Sequence, residues 1–262
     1  MLLAGITACS QDKKEIGVVA HRGYWQCEDG GMARNSIASL TSAQKQGFWG
    51  SECDIHVSAD DTVFVWHDAK IEGRRVQQMT FAELSEVVLA NGERIPTLEQ
   101  YLQAYNDNAA AFGTSTRLII EIKKHKDPAR EELCIDKMYE FLKAYKLYDP
   151  AKIVFISFSL KACQKISSDC PGFTVQYLEK DLTPAEVKNS GVGGMDIHFQ
   201  ALRDNPSWTG EAHALGMSMN SWTASEEDQI LDMIAQGVDQ ITSDRPDLVR
   251  EILAREGIKE AK

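Results

Sequence analysis

Cationic residues are in short supply in this chain. Lys and Arg number 28 against 39 Asp and Glu, which leaves a net charge of −11. Binding to a nucleic-acid backbone rests on clustered Lys and Arg, so the balance argues against that partner. A small anionic substrate stays open, because a bound cation reverses the sign of the local field. The six cysteines, at positions 9, 27, 53, 134, 163 and 170, form no CxxC pair, which argues against a zinc knuckle. No disulfide follows from their spacing. The apolar run at the N-terminus is too short to span a bilayer. No linker, low-complexity run or sequence repeat divides the chain.

Apolar residues make up 43% of the 262 positions, enough for a full core in one large domain or two small ones. The N-terminus stands apart. Residues 1–8 are apolar and small, and Ile6, Thr7, Ala8 and Cys9 precede a polar stretch through Lys14. This resembles a bacterial lipobox, in which the cysteine is lipidated and becomes the mature N-terminus, although no basic n-region precedes it. On this reading residues 1–14 are a signal remnant and tether, residues 15–262 form the domain, and Cys9 anchors it in a bacterial envelope. The alternative is an ordinary terminus on a cytoplasmic protein.

From residue 16 the chain alternates between two patterns. Segments 16–20, 50–57, 118–123, 153–157, 173–177, 195–199, 217–222 and 238–242 read as strands. Helices are expected at 37–46, 80–89, 95–105, 131–145, 160–167, 184–189, 206–215, 225–236 and 246–254. Asn35 and Ser36 mark the start of the first helix and Gly47 its stop. Residues 62–66 return as a hairpin partner of the second strand, and 69–79 read as loop. Strands alternating with helices imply a parallel sheet. Eight βα units in this length predict a closed (β/α)₈ TIM barrel, one α/β domain. An open doubly wound sheet is the alternative, since closure is not written in a sequence.

Reacting groups in such a barrel sit at the C-terminal ends of the strands. His21 and Arg22 end the first strand. Glu52 and Asp54 lie two apart on the second and so share a face. Two carboxylates side by side repel unless a cation lies between them, and hard divalent cations prefer oxygen ligands. Glu121 and Lys123 share a face on the third strand, His67 and Asp68 follow the hairpin, and Trp222 ends the seventh. Glu52, Asp54 and Glu121 can hold one Mg²⁺ or Ca²⁺ and leave positions open for water and substrate oxygens. A phosphodiester suits that open side. Arg22 and Lys123 would bind its oxygens, and His21 and His67 would serve as base and acid.

The run His21-Arg22-Gly23, Asn35-Ser36, Glu52-Cys53-Asp54 and His67-Asp68 resembles the HRG, EN(T/S), E-x-D and HD signature of the glycerophosphodiester phosphodiesterase family. Ile95-Pro96-Thr97-Leu98, Glu121-Ile122-Lys123, Ser221-Trp222-Thr223 and the stretch from Gly237 to Pro246 resemble its later motifs, so the likeness spans about residues 16 to 250. The resemblance implies a TIM barrel that hydrolyses glycerophosphodiesters to an alcohol and glycerol 3-phosphate. It matches His21 and His67 to the catalytic pair, and Glu52, Asp54 and Glu121 to the metal ligands. It matches Arg22 and Lys123 to the phosphate-binding cations, and Trp222 to an aromatic that packs on the glycerol. In one place the chain departs from the pattern. The family usually has Glu before the Asn, where this sequence has Arg34. Arg34 either adds a cation near the phosphate or faces solvent.

Simpler roles are expected elsewhere. His56, His198 and His213 read as structural, and Lys124, His125 and Lys126 as a solvated loop. Asp68 orients His67 or caps its loop, and core packing is the competing role for Trp222. A phospholipase D of the sphingomyelinase D type is the neighbouring enzyme reading. A non-catalytic lipoprotein that binds glycerophosphodiesters is the reading from another class.

Overall fold

The computed structural model describes residues 15–262, so the tether and Cys9 lie outside the described residues. The chain runs through β1 (Glu15–Ala20), α1 (Ile37–Gln46), β2 (Gly50–Val57) and β3 (Val63–Val65). An excursion follows, with β4 (Lys70–Ile71), β5 (Arg74–Arg75) and α2 (Phe81–Leu84), before α3 (Leu98–Phe112) and β6 (Arg117–Ile122). Then come α4 (Pro128–Ala144), β7 (Ile153–Ser157), α5 (Leu160–Asp169), β8 (Thr174–Tyr177), α6 (Pro184–Asn189) and β9 (Gly194–His198). The last part holds α7 (Phe199–Asp204), α8 (Trp208–Ala214), β10 (Ser218–Trp222), α9 (Glu227–Gln236), β11 (Gln240–Ser243), α10 (Pro246–Arg255) and β12 (Lys259–Glu260).

The main sheet runs β12-β1-β11-β10-β9-β8-β7-β6-β2-β3. β1 also pairs with β2, Val19 opposite Gly50 and Ala20 opposite Ser51, and this closes it. The closed part is a parallel (β/α)₈ barrel, which removes the open-sheet alternative. β3 runs antiparallel to β2, with Ile55 opposite Val65, and β12 extends the sheet beside the start of β1. No helix among the described residues is long and apolar enough to cross a membrane.

Period-two alternation divides the core into layers. Val19, Ile119, Val154, Ile156 and Leu178 pack together inside the barrel. Their neighbours Val18, Ala20, Ile120, Ile153 and Phe155 belong to the larger layer between strands and helices. Gly50 leaves room for the Ile119 side chain, whose Cδ1 would lie 2.2 Å from a Cβ there and would have to move aside. Local signals start and stop the helices. Ser36 caps α1, with Ser39 completing the capping box, and Gly47 ends it at φ 60°. Thr97 and Gln100 do the same at the start of α3.

Several boundaries differ from the sequence reading, each for a local reason. The helix expected at 80–89 stops at Leu84. Val88 instead bridges Arg94, and the Leu89 N–H bonds the Glu93 carbonyl across the Asn91-Gly92 turn. Adjacent β-branched valines before such a turn favour extended pairing. The helix expected at 206–215 is α8, and a further short helix, α7, precedes it and stops before Pro206, which cannot continue it. α4 begins earlier than expected, at Pro128 behind an Asp127 cap. β4, β5 and β12 are too short to leave a period.

Ile120 is fully buried beside Glu121 on β6. Ile120→Ala is expected to destabilise the domain by about 3 kcal/mol through lost burial and a residual cavity. Urea unfolding followed by circular dichroism checks this. A change within about 0.5 kcal/mol would mean that this layer relaxes freely around the lost methyls.

Candidate active site

Strand ends bring the candidate residues together at one mouth of the barrel. The β2 alternation turns Glu52 and Asp54 inward, and the β2–β6 register sets Asp54 opposite Glu121. One carboxylate oxygen from each of Glu52, Asp54 and Glu121 lies within 4.8 Å of the others, and all three residues are buried. Asp54 is the most heavily bonded. Its Oδ2 accepts from Asn35 Nδ2 at 2.8 Å and its Oδ1 from Lys123 Nζ at 3.1 Å. The Arg22 Nε stands 3.8 Å from Oδ2. Lys123 Nζ also sits 2.8 Å from Glu121 Oε1. The Arg22 backbone N–H donates to Glu52 Oε2 at 2.7 Å, while Glu52 Oε1 is buried with no hydrogen-bond partner.

These contacts set the charge states. Burial works against ionisation of Asp54, but Lys123, with His67 and Arg22, outweighs it and holds Asp54 well below the usual carboxylate range. Burial pushes Glu52 well up, helped by the charges of Asp54 and Glu121. Burial and Asp54 push Glu121 up to about 8. Burial opposes the charge on Lys123, yet Asp54 and Glu121 raise it above its ordinary value.

The two histidines have a common arrangement. His21 Nδ1 lies 2.7 Å from Asp244 Oδ1, and His67 Nδ1 lies 2.7 Å from Asp68 Oδ1. An ionised carboxylate only accepts, so in each ring Nδ1 carries the hydrogen and Nε2 is left to take up or release a proton. Burial lowers both imidazoles from their ordinary value, against the pull of their aspartates. Asp244 also accepts from the Trp25 indole at 3.2 Å. On the other side of the mouth, Trp222 stands edge-on to Phe158 at 5.6 Å and to His198 at 5.0 Å. Its indole donates to the Asp196 carbonyl at 3.0 Å.

All eight residues singled out from the sequence lie at this mouth, Trp222 with them. Three contributors were not assigned a role there. Asp244 belongs to the closing motif, and its place after the last barrel strand is the signal that could have found it. Asn35 read as part of a helix cap, yet it adopts φ 56° and also accepts from the Asp54 N–H at 3.2 Å. Trp25 carried no signal. One reading needs correction: His125 is buried, not solvated. Its Nε2 accepts from the Val57 N–H at 3.3 Å, and its backbone N–H donates to the Glu131 carboxylate. His56 is buried against Phe64, and His213 pairs with Asp239 at 3.0 Å. Arg34 is exposed and lies over the Trp25 ring, 4.1 Å from its centroid.

The all-oxygen donor set, its burial and the unbonded Glu52 Oε1 fit a hard divalent cation.

The model of the glycerophosphoryl diester phosphodiesterase family matches residues 21–248. A glycerophosphodiester phosphodiesterase from Parabacteroides distasonis, known from its crystal structure, is 38% identical and superposes with a TM-score of 0.87. That likeness covers 94% of this chain and 99% of the other. The glycerophosphodiester phosphodiesterase of Bacillus subtilis is 25% identical over 90% of this chain and 86% of its own length.

Cation binding must displace the proton held on Glu121, so affinity is expected to rise with pH up to about 8. Calorimetry near pH 7 in buffers of different ionisation heat should show proton release with Mg²⁺ or Ca²⁺. An affinity that does not change between pH 6 and pH 9 would contradict the charge crowding. In the metal-free protein, folded Glu121 keeps a proton that the unfolded chain loses at lower pH, so stability falls as pH rises towards about 8. Glu52→Gln removes an acid whose ionisation burial and Asp54 oppose, and keeps an acceptor for the Arg22 N–H. It should raise the metal-free melting temperature by about 2–5 °C while weakening cation binding.

Proposed function

This chain belongs to the glycerophosphoryl diester phosphodiesterase family, and from that premise we propose that it hydrolyses glycerophosphodiesters to an alcohol and sn-glycerol 3-phosphate with a divalent cation and two histidines. One observation carries the mechanism: two imidazoles, each with Nδ1 tied to an aspartate, share a mouth with three clustered carboxylates and two cationic side chains.

Glu52, Asp54 and Glu121 would hold the cation, Mg²⁺ or Ca²⁺, which when bound supplies Lewis-acid polarisation of a phosphoryl oxygen. Arg22 and Lys123 bind the remaining phosphoryl oxygens and stabilise the charge that develops on them. One histidine takes a proton from the attacking water at Nε2. The other, in its protonated form, releases one from Nε2 to the departing alkoxide. The aspartates hold each ring in its tautomer and stabilise the imidazolium form. Asn35 keeps Asp54 turned to the cation, and Trp222 with Phe158 offers an apolar wall to the glycerol. We further propose that Cys9 tethers this domain to a bacterial envelope membrane, on the strength of the lipobox-like sequence around it.

Purified protein is expected to release glycerol 3-phosphate from glycerophosphodiesters, to stop in EDTA and to recover with Mg²⁺ or Ca²⁺. Turnover of lysophospholipid with none of the deacylated diester would favour the phospholipase D reading instead. His21→Ala and His67→Ala should each lower kcat by about 10²–10⁴-fold. On a nitrophenyl diester, whose leaving group needs no proton, the variant lacking the general acid should regain most of that loss. Equal losses on both esters would remove the acid role from either residue.

A further inference from the structure

Arg34 differs from most arginines of this chain. Arg74, Arg94, Arg130, Arg203, Arg250 and Arg255 each hold a carboxylate. Arg34 holds none among the described residues. Its guanidinium is stacked 4.1 Å from the centroid of the Trp25 ring, and Trp25 is itself buried and anchored to Asp244. Stacking leaves the edge of a guanidinium, with its N–H donors, free to meet a ligand.

That edge belongs to a built pocket. Arg34 lines a cavity of about 70 Å³ together with Arg22, Asn35, Trp66, His67 and Asp68. One more donor in its walls is unspent, the Trp66 indole N–H, which is buried without a hydrogen-bond partner, and Arg22, which faces Asp54 and the phosphate, adds positive charge. The carboxylate in the wall, Asp68, already accepts a hydrogen bond from His67 Nδ1. The other carboxylate near Arg34, Asp244, is engaged by His21 and Trp25. Donors outnumber free acceptors, so the pocket suits an acceptor-rich, negatively charged group.

Its position says which part of a substrate it meets. The cavity opens on the β1–β2 side of the mouth. Trp222, His198 and Phe158 stand on the β7–β10 side. A phosphodiester held between the two, with its glycerol on Trp222, sends its leaving alcohol towards Arg34. We propose that Arg34 is a specificity-determining residue that receives a carboxylate or other anionic group on the leaving alcohol and disfavours purely cationic alcohols. This rests on the phosphodiesterase reading above. A planar guanidinium held in place by an aromatic ring can meet a carboxylate through two parallel hydrogen bonds.

Glycerophosphoserine and glycerophosphoethanolamine test this directly, because they differ by one carboxylate on the leaving alcohol. The wild-type kcat/KM is expected to favour the serine ester by about tenfold or more, the scale of a charged hydrogen bond. Arg34→Gln should bring that ratio near one and Arg34→Glu should invert it, with the loss on the serine ester appearing mainly in KM. Arg34→Lys, which keeps the charge but not the planar fork, should restore only part of the preference. A wild-type ratio near one, or a ratio unmoved in Arg34→Gln, overturns the assignment. Calorimetric titration of both esters, uncleaved, into metal-loaded His21→Ala protein separates this from failure of the hydrolase reading. A Kd ratio that depends on Arg34 supports the subsite even without turnover. A Kd ratio indifferent to Arg34 overturns it even where hydrolysis is fast.

Discussion

Crowding of negative charge at the end of β2 governs this molecule. Three buried carboxylates share a space 4.8 Å across, and water cannot screen them. Lys123, Arg22 and Asn35 are enough to keep Asp54 ionised. They are not enough for Glu52 and Glu121, whose protons are held more tightly. The cluster is thus one cation short, which is the physical basis for the proposed metal site. Neighbouring backbone follows from the same demand. Arg22 and Asn35 both adopt φ 56°, a conformation uncommon outside glycine, and both use a backbone or side-chain N–H to hold a carboxylate of β2. Gly23 follows at φ 78°, and a Cβ there would also strike Ser39 in the first turn of α1.

The two histidine–aspartate pairs have different origins. His67 and Asp68 are adjacent, so their pair forms wherever β3 ends. His21 and Asp244 are 223 residues apart and meet only because β1 pairs with β11, Ala20 opposite Ser243. Closing the barrel therefore also builds the site. The excursion after β3 has its own small core of Phe64, Val76, Met79, Leu84 and Ile95, and this gives the His67 loop a packed base at the rim. Gln77 in the same excursion donates to His56 at the end of β2, which ties the two together.

Arg34 brings these themes to the substrate. It lines a cavity at the mouth beside His67 and Arg22, away from the carboxylate cluster. A change of charge there alters which alcohol is welcome without touching the atoms that react. Variation in the first βα loop on an unchanged barrel rim is how this fold supports many chemistries.

Much of this was legible in the chain. Strand and helix order followed from hydrophobic period, because each strand buries one or both faces against a helix layer. Glu52 and Asp54 were placed on one face by period alone, and His21, His67, Lys123 and Trp222 by their positions at strand ends. Short elements such as β4, β5 and β12 escaped because two residues carry no period. The single turn and a half of α7 escaped for the same reason, and the early end of α2 turned on a turn at Asn91-Gly92, a local effect that overrides a helical pattern. The sequence by itself determined the alternation of elements, the inward carboxylates and the candidate acid and base. Only the tertiary structure decided that the sheet closes, that Asp244 orients His21, that Asn35 holds Asp54, that His125 is buried and that Arg34 stacks on Trp25. These are contacts between segments far apart in the chain, and no local pattern of side chains encodes which distant partner a residue will meet.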